Sequence, residues 1–285
     1  MKKFICLLLF ISISFFGLAS CSKQKTNLTQ DFSMKKVKKI NINNNSWNLL
    51  FKSSNDDEIH VETSCKGDKS EKSVDIGLEN GVMHITQNDA SDNFIGGFTF
   101  GGRNKIIVYV PKDLSSPINV ENKNGDITME NVSFSDLKLT NSSGEQKIIN
   151  VRLEHASITS ESADTTIKDS SIKKLQAESK SGCLYFTNVS NNEIYASTSS
   201  GEIVFKDFTE HQASDINTGS GDISVLYKIK PISLKLGVKS NSKDVSVHLD
   251  DLKLKVDTEE KKEGTIGIGD NRLKISSDTG TINLR

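Results

Sequence analysis

The sequence predicts an all-β chain: a right-handed parallel β-solenoid of about 19-residue coils with an irregular β N-terminal cap. Three observations carry this reading. A small-residue turn recurs at a fixed period. Apolar residues alternate with period two between the turns. The segments are too short and too rich in β-branched residues to form helices.

The turns read Asn124-Gly125-Asp126, Ser143-Gly144-Glu145, Ser162-Ala163-Asp164, Ser181-Gly182-Cys183, Ser200-Gly201-Glu202 and Ser220-Gly221-Asp222. Their second members stand at 125, 144, 163, 182, 201 and 221, so the spacing is four times 19 and once 20. Two places after each comes Ile127, Gln146, Thr165, Leu184, Ile203 or Ile223. Four places after comes Met129, Ile148, Ile167, Phe186, Phe205 or Val225. Twelve places after comes Leu137, Ala156, Leu175, Ile194 or Ala213, and the next inward column runs Leu139, Ile158, Ala177, Ala196 and Ile216. Alternation of this kind turns one strand face inward. Shorter apolar pairs, Val132/Phe134 and Val151/Leu153, lie between the two strands of a coil. One coil cannot bury these side chains alone, but stacked coils bury them against their equivalents. Each buried Ile, Leu or Phe is worth about 1.5–3 kcal/mol, which outweighs the polar exceptions Gln146 and Thr165. Strand twist and crossover handedness give the right-handed winding.

In chain order, Lys2 and Lys3 precede an uncharged apolar run from Phe4 to Gly17. That run is short for a membrane span and fits a signal peptide. Leu18-Ala19-Ser20-Cys21 resembles the lipobox of bacterial lipoproteins, with Cys21 as the site of cleavage and lipid attachment. The expected division is residues 1–20 signal peptide, 21–34 tether, 35–115 cap and 116–285 solenoid. Ser22 to Ser33 is polar, lacks apolar periodicity and reads as a flexible tether. From Cys21 onward, 34 Lys+Arg face 37 Asp+Glu, a formal net charge of −3, which excludes a strong basic field for nucleic acid. Cys65 and Cys183 read as two free thiols, the first facing in and the second out.

Val37 to Pro111 carries alternating segments without the 19-residue period, either an antiparallel cap or an irregular start of the solenoid. Some cap is needed to cover open strand edges. Asn93 to Asn104 holds four glycines with Phe94, Phe98 and Phe100. It reads as a loop that packs its rings on the cap, or else as an aromatic contact loop. After Tyr227 and Pro231 the coils loosen. Ser242-Lys243-Asp244 stands in for a turn, the charge run Asp257 to Glu263 reads as a solvated loop, and Thr279-Gly280-Thr281 is the last turn.

These turns, the strand Ile106-Ile107-Val108-Tyr109-Val110-Pro111 and the glycine-spaced final coil resemble the DUF4097 family of bacterial candidate adhesins. The resemblance spans Val37 to Arg285. It implies a β-solenoid, often envelope-anchored, with no catalytic or binding residues to transfer. It also implies a regulatory role, since some relatives sit near envelope-stress signalling systems. Ala163, Cys183 and Lys243 depart from the family's turn.

The acids after each turn, Asp126, Glu145, Asp164, Glu202 and Asp222, form a ladder. It could hold a cation, or supply two carboxyls for sugar cleavage. The plainer reading is that short acids cap backbone N–H groups at every turn, since a catalytic pair is local while this ladder repeats. The Ser/Asn/Thr column before each Gly reads as stacked turn hydrogen bonds. His60, His84, His155, His211 and His248 show no metal-ligand spacing. No catalytic, metal or cofactor site is expected. The expected protein is a non-enzymatic lipoprotein on the extracytoplasmic side of the cell membrane, held there through lipid on Cys21. It would bind an unidentified protein or polysaccharide ligand and no nucleic acid. The alternatives are an accessory regulator of envelope stress and a carbohydrate-active β-helix enzyme.

Overall fold

The computed structural model describes residues 25–66, 73–88, 104–112 and 114–285. The signal segment, Cys21 and nearly all of the Gly/Phe stretch 93–104 lie outside the described residues. In chain order the first strands are β1 (Lys25–Ser33), β2 (Lys39–Asn44), β3 (Asn48–Ser54), β4 (Glu58–Lys66), β5 (Val74–Glu79), β6 (Val82–Gln87) and β7 (Lys105–Pro111). The regular coils follow as strand pairs: β8 (Ile118–Asn122) with β9 (Ile127–Glu130), β10 (Asp136–Asn141) with β11 (Gln146–Ile149), and β12 (Arg152–Ser160) with β13 (Thr165–Lys168). Then come β14 (Ser171–Ser179) with β15 (Leu184–Thr187), β16 (Glu193–Thr198) with β17 (Ile203–Phe208), and β18 (Ala213–Thr218) with β19 (Ile223–Tyr227). The last six are β20 (Leu234–Ser240), β21 (Val245–Val247), β22 (Lys253–Asp257), β23 (Lys261–Ile266), β24 (Asn271–Ser277) and β25 (Ile282–Leu284).

They form a 12-stranded and a 13-stranded sheet, in which successive coils pair in parallel as the period predicts. The register is one coil per repeat: Gln146 pairs with Thr165, and Leu139 with Ile158. The predicted columns are buried, from Ile127 and Met129 on one sheet to Leu137 and Leu139 on the other. Ala213 is a correction. It pairs with Glu193 and faces outward, while Ser214 takes the inward place opposite Ile194. The extra residue of the 20-residue coil, with the register shift between Phe205 and Phe208, moves the column by one. His211 then satisfies the buried Ser214 hydroxyl at 3.3 Å.

The ends are not wound in sequence order. The coil β2/β3 is inserted between β6/β7 and β8/β9, and the coil β24/β25 between β18/β19 and β20/β21. Both chain ends therefore supply a coil that is second from the end in space. The region 35–115 extends both sheets in parallel rather than standing as a separate cap, through β2 on β8 and β3 on β9. Antiparallel strands then finish the stack: β4 on β7, β1 on β4, β5 on β6 and β23 on β20. The outermost strand β22 carries Lys253 and Lys255, and charged edges of this kind resist pairing with other chains.

Two expectations change here. Residues 25–33 are a strand paired along its length with β4, not a tether. Leu28 and Phe32 are half-buried, and Phe32 packs against the core. Two apolar residues were too few to show a period in the sequence. The charge run from Asp257 to Glu263 is a β-hairpin tip, with Lys261, Lys262 and Glu263 inside β23. Cys65 is buried and Cys183 half-buried, and no disulfide joins them.

Candidate binding face

The turns that organise the sequence are also the tightest contacts. A Cβ placed on Gly182, Gly201, Gly221 or Gly280 would lie within about 2.1 Å of the carbonyl oxygen of the coil beneath. Glycine is therefore required by close approach, not by backbone angle. Gly280 rests on Gly221, so the column continues through the inserted last coil. Beside it runs a buried column that sequence reading missed, three residues before each turn Gly: Asn122, Asn141, Ser160, Ser179, Thr198, Thr218 and Ser277. The Asn122 amide donates to the Gly125 carbonyl at 2.6 Å and to Asn141 Oδ1 at 2.7 Å. The Ser179, Thr198, Thr218 and Ser277 hydroxyls accept from the following Gly N–H at 2.8–3.0 Å. The signal was present as a polar residue at fixed offset inside an apolar pattern.

The three aspartates of the acidic ladder are structural, whereas Glu145 pairs with Lys147 Nζ at 2.7 Å and Glu202 receives the Tyr185 hydroxyl at 3.5 Å. Asp126 accepts the Glu145 N–H at 3.0 Å, Asp164 the Cys183 N–H at 2.8 Å and Asp222 the Thr281 N–H at 2.8 Å. Each short acid thus caps the turn of the next coil, leaving its carboxylate committed. The hydroxyl column before the Gly behaves as expected: Ser162 donates to the Ser142 carbonyl at 3.1 Å and Ser181 to that of Glu161 at 3.2 Å.

At the N-terminal edge, strand pairing gathers side chains that sequence spacing did not connect. Ligating atoms of Asp31, Glu58 and His60 lie within 4.8 Å of one another. The imidazole is engaged by both aspartates, through Nδ1 with Asp31 at 2.7 Å and through Nε2 with Asp56 at 3.0 Å. Asp31, and after it Asp56, hold the His60 pKa above its ordinary value. The group clasps β1 to β4.

A broad concave surface lies on the outer face of the 13-stranded sheet. It is a shallow depression of about 620 Å³ that crosses the coils from β8 to β18 and reaches β24. Its floor is the outward row Asn119, Lys138, Ser157, Gln176, Tyr195 and Asp215, each paired in register with the next. A second row, Asp136, His155, Lys174 and Glu193, runs beside it. Asp136 meets His155 at 2.9 Å, and Lys174 meets Glu193 at 3.2 Å. The Ser135 hydroxyl and then His155 hold the Asp136 carboxyl below its ordinary range, whereas a general acid needs the opposite shift.

The Toastrack DUF4097 family model matches residues 37–285. The chain belongs to that family. As a Toastrack protein it is similar in fold to a candidate adhesin from Bacteroides fragilis NCTC 9343, with 16% identity, 92% of this chain and 99% of that chain covered, and a TM-score of 0.58. A candidate lipid-binding protein from Parabacteroides distasonis ATCC 8503 aligns at 15% identity, with 91% and 96% covered and a TM-score of 0.48. At 16% identity the likeness to the first concerns the fold. No curated protein matches the chain. Among the described Toastrack residues, no helix is long and apolar enough to cross a membrane.

Proposed function

We propose that this Toastrack protein is a non-enzymatic binding module of the cell envelope. It is held on the extracytoplasmic side of the membrane by lipid on Cys21, and it presents the outer face of the 13-stranded sheet to its ligand. One observation carries the reading: the depression of about 620 Å³ spans successive coils and lines each of them with outward polar side chains in register. An extended polar face suits binding, because weak contacts along it add through multivalency. Catalysis needs instead two carboxyls in unlike environments. The ladder aspartates instead serve turns, and Asp136 is held in its charged form.

The test places a bulky charge on the floor of the face, as Ser157→Arg, and measures attachment of purified protein to envelope and host polymers by biolayer interferometry. The same samples are assayed for new reducing ends. Attachment by the unmodified protein that Ser157→Arg abolishes, without cleavage, is the expected result. Cleavage lost in Glu202→Gln/Asp222→Asn would replace the binding module with an enzyme.

A further inference from the structure

The chemistry of this face narrows its ligand. We propose that it takes an uncharged glycan chain laid across the coils, with the Tyr195 ring as its stacking platform. The inference rests on the face being the binding surface.

Charge is the first argument. Three acids of the depression, Asp136, Glu193 and Asp215, stand among three bases, Lys138, Lys174 and Arg272. The ion pair at 3.2 Å between Lys174 and Glu193 cancels its charges locally, and Asp136 is engaged by His155 at 2.9 Å. A polyanion would be drawn by a continuous row of cations and a polycation by a row of acids. Alternation of sign favours neither. An uncharged ligand loses nothing to it.

Tyr195 is the second argument. Its side chain is 39% exposed in a chain whose other large aromatics with described side chains are mostly interior. It stands on the floor between Gln176 and Asp215, one coil to each side. A tyrosine in this setting offers a flat apolar face with a polar tip. The C–H face of a sugar ring matches the first and its hydroxyls the second. Gln176 adds two donors and an acceptor, and Ser157 a hydroxyl, as a ligand dense in hydroxyl groups requires.

A protein ligand fits less well. Protein hot spots seat large anchors in desolvated apolar pockets. Here the aliphatic residues under the floor, Leu137, Ala156, Leu175 and Ile194, are each no more than 3% exposed, closed over by the polar rows. The depression is also open along the stack, and the coils repeat about every 4.8 Å. A linear polymer laid along it meets a polar side chain at each step.

The experiment uses the full chain purified in detergent, with neutral hexasaccharides of several linkages, a sulfated polysaccharide and unrelated proteins as probes. Titration calorimetry measures binding, and circular dichroism confirms folding. We expect a neutral hexasaccharide to bind with little dependence on salt. Tyr195→Ala should weaken it about tenfold or more, about 1.4 kcal/mol, and Tyr195→Phe should restore most of the loss. Binding of the sulfated or protein probe alone, blocked by Ser157→Arg, keeps the face and overturns the uncharged glycan. Neutral binding untouched by both Tyr195→Ala and Ser157→Arg overturns the face as well. No neutral binding across the panel overturns the inference.

Discussion

Gly201→Ala isolates the contact on which the stack depends. A methyl at this position would sit 2.1 Å from the Gly182 carbonyl oxygen, 2.7 Å from the carbonyl carbon and 3.0 Å from Thr198 Oγ1. Two of these atoms are backbone, fixed in the coil below by both sheets. Relief therefore requires the coils to separate by an ångström or so where the strands stack about 4.8 Å apart. Overpacking costs about 1–3 kcal/mol, and the rigid obstacle puts this case near the top, about 3 kcal/mol. For a chain of this size that lowers the melting temperature by roughly 6–12 °C. The control is Gly237→Ala, where an added Cβ meets nothing within 4 Å. It removes a strand glycine and should hold or raise stability by up to about 1 kcal/mol. Thermal melts followed by circular dichroism compare the two. The column already accepts Ala163, but there the coil beneath is special: Gly144 has φ +97°. If Gly201→Ala melts together with Gly237→Ala, close approach is not what selects glycine, and the account of the turn fails.

The inward amide of Gln146 and hydroxyl of Thr165 are fully buried without a hydrogen-bond partner. Gln146→Leu with Thr165→Val should therefore raise the denaturation midpoint, by about 1–3 kcal/mol in free energy, and a lower midpoint would mean these groups are satisfied. Burial pushes the His211 pKa down from 6.5 to about 4, so folding disfavours its protonation. Its contribution is fully present above about pH 6.5 and is lost as pH falls toward about 4, by at most about 3 kcal/mol; His211→Phe should flatten that part of the stability-against-pH curve. Deleting the whole coil Glu145 to Ala163 should leave a folded, shorter chain, whereas deleting half of it should unfold the protein, and equal damage in the two melts would count against independent coils. Cys21→Ser should leave the precursor unlipidated and unprocessed, and the unmodified protein should partition into the detergent phase, since stable retention needs at least two acyl chains; an unmodified protein in the aqueous phase would refute the lipobox reading.

The candidate face illustrates why sites lag behind folds in such a sequence. Its floor residues Ser157, Gln176 and Tyr195 are the outward partners of inward Ala156, Leu175 and Ile194. The alternation that located the core also marked them as outward, but it could not say that this sheet is hollowed. The His60 clasp was hidden more deeply, because Asp31 and His60 meet only through the antiparallel register of β1 and β4.

By itself the sequence determined the repeating unit of this Toastrack protein: the 19-residue period, the turn glycines, the inward columns at Ile127, Met129, Leu137 and Leu139, and the use of the ladder aspartates Asp126, Asp164 and Asp222, though not of Glu145 and Glu202, as turn caps. These are local or strictly periodic, and burial fixes them because a slip of one residue would expose every inward side chain. Only the tertiary structure decided which coil neighbours which at the two ends. The edge of any coil offers the same parallel pattern of N–H and C=O groups, so the period cannot tell Val245 from Ile282 as the neighbour of Ile223. Packing and the need to close the edges choose Ile282, inserting β24/β25 as they insert β2/β3 at the other end. The left-handed corner was likewise invisible to a search for apolar columns. Asn131, Asn150, Asp169, Asn188 and Asp207 all adopt φ of 49–57°, and short polar side chains tolerate that conformation while bonding coil to coil, as Asn150 does to Asn131.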